Sequence, residues 1–89
     1  MGEISKVAVL GGGVIGASWT ALFLAAGREV TVFDPDPGVQ EAVEGYIATA
    51  WPALEQLGLT ARATRDALSF APSTAAAVHG ADFVQENVP

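Results

Sequence analysis

The chain has 89 residues and a formal charge of −6, with four Lys and Arg against ten Asp and Glu and no Cys. At 51% apolar and 16% charged it is a folding chain and not a disordered segment. It is long enough for one domain that buries about 60–65% of its unfolded surface. The missing Cys and the single His79 exclude a disulfide scaffold and argue against a metal site, and the acidic balance argues against nucleic acid and anionic membrane as partners.

In chain order, Ile4 to Leu10 reads as a buried strand, because Val7-Ala8-Val9-Leu10 is a continuous apolar run. A glycine cluster ends it. Val14 to Ala26 reads as a helix that is apolar nearly all round, hence well buried, with Gly27 just past its end. Glu29 to Phe33 is a β-branched and aromatic strand with Asp34 at its C-terminal end. Asp36 then looks like an N-cap with Pro37 at the first helical position.

From Val39 to Leu57 apolar residues recur at helical spacing, with Pro52 expected to kink or split the helix and Gly58 to close it. Trp19, Tyr46 and Trp51 fall on apolar stripes and read as core packing. Thr60 to Ala67 is a polar connector whose Arg62 and Arg65 read as solvated charges. Leu68 to Ala71 is a short strand, Ala75 to His79 a brief helix capped by Ser73 or Thr74 and ended by Gly80, and Asp82 to Val88 a fourth strand. His79 reads as an exposed helix-end residue.

The order β-α-β-α-β-α-β implies an α/β fold with a Rossmann-like parallel sheet in the order 3-2-1-4. A rival exists, because no charge falls between Lys6 and Arg28. A membrane span or signal peptide would nevertheless place Gly11, Gly12, Gly13 and Gly16 inside its helix, at about 1 kcal/mol each. The location expected is therefore cytoplasmic.

Gly11-Gly12-Gly13-Val14-Ile15-Gly16 satisfies G-x-G-x-x-G between a strand and a helix, and Asp34 follows 18 residues after Gly16. Each position has a task in binding a dinucleotide. Gly11 permits the turn, Gly13 lets a pyrophosphate approach the backbone, and Gly16 lets the helix pack closely. The amides that open the helix, from Gly12 through Val14 and Ile15, bind phosphate without a cationic side chain. Asp34 accepts the adenosine ribose hydroxyls, and its charge with that of Asp36 disfavours a 2′-phosphate. NAD is thus expected over NADP, with FAD a lesser alternative.

The run Lys6 to Gly16, the pair Phe33-Asp34 and the segment Ala81-Asp82-Phe83-Val84-Gln85-Glu86-Asn87-Val88-Pro89 resemble the NAD-binding domain of the 3-hydroxyacyl-CoA dehydrogenase family. Gly16-Ala17-Ser18-Trp19 looks like its L-gulonate branch, and Val32 to Pro37 like its carnitine branch. The resemblance implies NAD-linked oxidation of a 3-hydroxyl to a 3-ketone, with a His as general base. His79 does not match that His. The CoA-binding Lys of the fatty-acid enzymes has no counterpart after Lys6, which favours a small-molecule substrate without CoA.

The resemblance also implies that residues 1–89 are the N-terminal part of a longer dinucleotide-binding domain. The catalytic residues and a C-terminal helical domain would lie elsewhere, and the chain alone would be inactive. Phe83 to Val88 would be an edge strand, from which a homo-oligomer is expected. Glu86 either lines the nicotinamide side of the crevice or faces solvent. The other function considered is a non-catalytic NAD-binding or interaction module.

Overall fold

A computed structural model describes residues 4–60 and 62–87. Four strands form one parallel sheet: β1 (Lys6–Leu10), β2 (Glu29–Phe33), β3 (Leu68–Phe70) and β4 (Phe83–Glu86). Their spatial order is β3-β2-β1-β4. Three α-helices connect them, α1 (Val14–Ala25), α2 (Val39–Leu57) and α3 (Thr74–Val78), and a 3-10 turn over Arg65–Ala67 leads into β3. Ala61 and the expected strand end at Val88 lie outside the described residues, as does Pro89.

Alternation along the strands divides the core in two. Val7, Val9, Val30 and Val32 pack with α1 residues Ala17, Ala21 and Leu24 and α2 residues Val43, Ile47 and Trp51. On the other face Ala8 and Leu10 meet Ala77 of α3. The central β1 is covered on both sides, which accounts for its unbroken apolar run.

The ends of β1 and α2 differ from expectation for local reasons. β1 starts at Lys6 and not Ile4, because the Asp82 carboxylate accepts the Ser5 and Lys6 backbone N–H groups, both at 3.0 Å. Asp36 does not cap α2. Its Oδ1 accepts the Gly38 N–H at 2.8 Å, and Gly38 is the cap. Pro52 neither splits nor ends α2, which runs through it. Both Pro52 and Ala48, whose carbonyl loses the proline's hydrogen bond, are exposed, so water can serve that carbonyl.

The apolar character of α1 does not translate into full burial. Val14 is 74% exposed, Ile15 66% and Leu22 52%, and only the face carrying Gly16, Ala17, Thr20, Ala21 and Leu24 is buried. Trp19 is likewise on the surface, stacked on Phe23 at 5.7 Å, and Phe23 meets Phe83 of β4. Trp51 is buried as expected. Tyr46 is half-buried with its hydroxyl 2.8 Å from that of Ser18. Leu57 and Ala42 leave the α2 stripe and are exposed. Among the described residues no helix is long and apolar enough to cross a membrane.

The short elements near β4 follow their sequence signals. Ser73 caps α3 by accepting the Ala76 N–H, Gly80 takes φ +75°, and His79 is exposed. Arg62 and Arg65 are exposed as well.

Candidate functional site

The glycine cluster forms the junction between β1 and α1. Gly11 takes φ +97°, a conformation glycine adopts without strain, and its N–H still bonds to Phe33 O of β2 at 2.9 Å. The chain turns there and enters α1 at Gly13, whose carbonyl accepts the Ala17 N–H at 2.8 Å. That is the first bond of the helix. The N–H groups of Val14, Ile15 and Gly16 precede it and have no helical acceptor. Gly13 supplies no side-chain cap, and no acidic residue stands in the first turn of α1.

The glycines divide the work. A Cβ at Gly16 would overlap the Gly11 carbonyl oxygen, so α1 can approach the turn this closely only with glycine there. A Cβ at Gly12 would overlap a Val39 methyl, so Gly12 seats the turn against α2. A Cβ at Gly13 would meet nothing within 4 Å. Gly13 alone of the three faces open space, the property a close-approaching ligand needs.

Asp34, half-buried at the end of β2, points to this turn. Its Oδ2 accepts the Gly12 N–H at 2.7 Å and its Oδ1 the Asp36 N–H at 2.8 Å. Each carboxylate oxygen retains acceptor capacity beyond these bonds.

Turn and carboxylate share a cavity of about 630 Å³, lined among others by Gly13, Val14, Ile15, Gly16, Asp34 and Glu86. It lies at the C-terminal ends of β1, β2 and β4, between strands that lead in opposite directions across the sheet. Ligands of open α/β sheets bind in this position. A second concavity of about 530 Å³, lined by Glu44, Ile47, Arg65, Asp66 and Leu68, shares no residue with it. Glu86 is exposed and lines the cavity.

Five lining residues were not singled out for the site from sequence: Leu10, Phe33, Pro35, Thr74 and Asn87. Asn87 is a polar residue immediately after β4, and Thr74, a polar residue on the loop side of β3, opens α3. Position at a strand's C-terminal end is the one signal that could have singled them out. No group of His, Cys, Asp and Glu suited to a metal occurs among the described residues.

Comparison with known proteins agrees with this geometry. Residues 6–89 match the family model described as 3-hydroxyacyl-CoA dehydrogenase, NAD binding domain. L-carnitine dehydrogenase of Pseudomonas putida is 46% identical over 98% of the chain, and that of Oceanobacillus iheyensis 49% identical over 97%. The chain spans 27% and 28% of those curated relatives, about a quarter of their length. Among solved structures, an NAD+-dependent 5-formyl-3-hydroxy-2-methylpyridine 4-carboxylic acid 5-dehydrogenase superposes with TM-score 0.82 at 30% identity, covering 98% of this chain and 28% of its own. A diketoreductase gives TM-score 0.74 at 27% identity, covering 100% of this chain and 33% of its own. The parallel sheet, the glycine turn and these matches together show that the chain belongs to the 3-hydroxyacyl-CoA dehydrogenase family, as its NAD-binding domain.

Proposed function

We propose that Gly11 to Gly16 and Asp34 are the residues that hold NAD. The backbone N–H groups of Val14, Ile15 and Gly16 take the pyrophosphate, with the uncapped positive end of α1 behind them. The free lone pairs of Asp34 take the adenosine ribose hydroxyls. The observation that carries this reading is the pairing of Asp34 Oδ2 with the Gly12 N–H at 2.7 Å, beside the open face of Gly13. It supports the reading by bringing the carboxylate and the turn to one cavity.

When bound, NAD supplies a hydride acceptor. What this chain contributes is orientation. Asp34 and the turn fix the adenosine end, and the cavity continues to Glu86 at the end of β4. Asp34 and Asp36 also place negative charge where a 2′-phosphate would sit, which favours NAD over NADP.

The whole protein, on this reading, is a cytoplasmic dehydrogenase that oxidises a 3-hydroxyl to a 3-ketone on a small carnitine-type or gulonate-type substrate. The L-carnitine dehydrogenases that it resembles support that choice. Residues 1–89 form the N-terminal part of its dinucleotide-binding domain and bind the cofactor without turnover. For residues 1–89 taken alone, self-association is supported by β4, which among the described residues pairs only with β1 and leaves Phe83 and Val84 39% and 42% exposed.

Calorimetric titration of the chain with NAD and NADP tests the assignment. NAD should bind at least about tenfold more tightly, a difference of about 1.4 kcal/mol. Equal affinities, or no binding of either, would refute it.

A further inference from the structure

Asn87 follows β4 and reaches across to the glycine turn. Its backbone N–H continues the sheet ladder to Leu10 O at 2.9 Å. Its side-chain Nδ2 approaches two carbonyl oxygens, Leu10 O at 3.4 Å and Gly11 O at 3.3 Å. Carbonyls only accept, so the group facing them must be the donating end of the carboxamide. The other end agrees: Asn87 Oδ1 accepts from Gln85 Nε2 at 3.2 Å. The same Gly11 carbonyl is the atom that a Cβ at Gly16 would overlap, and Asn87 Nδ2 would lie 3.3 Å from that Cβ. Asn87, Gly11 and Gly16 therefore meet at one point, where β1 ends and α1 begins. Asn87 is half-buried and also lines the cavity.

We propose that Asn87 is a positioning residue for the dinucleotide site: its carboxamide holds the Leu10 and Gly11 carbonyls and so orients the turn whose N–H groups take the pyrophosphate. This rests on the NAD assignment above. Backbone bonds already hold the Leu10–Gly11 peptide, and Asp34 holds the N–H end of the Gly11–Gly12 peptide; its carbonyl end, Gly11 O, is held by the Asn87 carboxamide. Holding the Gly11 carbonyl toward β4 holds the opposite end of the same peptide, the Gly12 N–H, toward Asp34, and so sets where the chain enters α1. A space-filling side chain of the same shape does not do this, because the device is a pair of N–H donors.

The test compares Asn87→Asp, which keeps the shape and removes the donors, with Asn87→Ala. NAD affinity of the 89-residue chain is read by calorimetry, the melting midpoint by circular dichroism, and the backbone N–H resonances by NMR without NAD. NAD binding should weaken about tenfold in Asn87→Ala, the size expected for losing one or two ordinary hydrogen bonds. It should weaken further in Asn87→Asp, where a carboxylate faces two carbonyls. In both variants the Gly12 and Gly13 N–H resonances should move in the free chain, whereas those of β3 stay in place.

A residue that only fills space predicts the reverse order, with Asn87→Asp the milder change. A residue that only touches NAD leaves the free turn unshifted. Either result overturns the proposal, as does unchanged NAD affinity in Asn87→Ala. If the unaltered chain does not bind NAD, the functional assignment fails, while the free-chain resonances still judge the anchoring. If the variants do not fold, hydrogen exchange of the Asn87 Nδ2 protons in the unaltered chain decides. Slowed exchange supports the anchor, and exchange at the rate of a free amide contradicts it.

Discussion

Asp34 Oδ2 accepts the Gly12 N–H at 2.7 Å, joining two residues 22 positions apart. One carboxylate thus braces the glycine turn and, on the proposed reading, takes the ribose of the ligand which that turn holds. Asn keeps one acceptor oxygen, which can serve the Gly12 N–H but not the Asp36 N–H as well, and it removes the charge. Asp34→Asn should therefore retain the fold and lose most of the preference for NAD over NADP. Asp34→Ala leaves the Gly12 N–H without its partner, and should in addition destabilise by about 1–3 kcal/mol. Titration with both dinucleotides, beside chemical denaturation, separates the two effects.

Gly13 and Gly16 should behave oppositely on replacement. Gly13 has φ −67°, and a Cβ there meets nothing within 4 Å. Gly13→Ala should fold with nearly unchanged stability and bind NAD more weakly, because the new methyl fills the ligand's approach. Gly16→Ala places its methyl on the Gly11 carbonyl oxygen. Backbone must move to relieve that overlap, and the melting midpoint should fall by several degrees or more. A Gly13→Ala variant that unfolds, or a Gly16→Ala variant of full stability, would contradict the division of roles among the glycines.

Stability should fall in acid through Asp82. The Lys6 and Ser5 backbone N–H groups, with smaller help from the Ser5 hydroxyl and the Lys6 charge, hold its carboxyl below the ordinary carboxylate value. A carboxyl whose pKa is lower in the folded chain stabilises that chain above its unfolded pKa of about 3.9, and the contribution is lost as pH falls through the lower folded value. Asp82→Asn should lower the melting midpoint at neutral pH, and its difference from the unaltered chain should shrink in acid. A difference that stays constant down to pH of about 2 would show that the carboxylate's charge is not what fastens β1.

Much of this architecture can be read from residue types in order. The apolar run Val7 to Leu10, the glycine turn and the Glu29 to Phe33 strand each carry a strong local signal; the parallel sheet follows from their alternation with helices, and its 3-2-1-4 order from the Rossmann-like arrangement expected of it. What escaped depends on relations between distant residues. The start of β1 is set by Asp82, 76 positions from Lys6. The start of α2 is set by competition within Asp34 to Gly38, where two side chains bond backbone in succession. The apolar circumference of α1 predicts burial, but nothing local says which face a neighbour covers. For the candidate site, spacing singled out the turn and Asp34, which the fold brings to one cavity. The part of Asn87 was invisible because it depends on where β4 lies beside β1.

On the proposed function, the amides opening α1 receive the pyrophosphate. NMR titration of the isotopically labelled chain with NAD tests it most directly. The N–H resonances of Gly13, Val14, Ile15 and Gly16 should shift in a saturable way, whereas those of Arg65, Asp66 and His79, remote in the lining of other concavities, should not. Saturable shifts confined to those other residues, with the glycine turn unmoved, would contradict it.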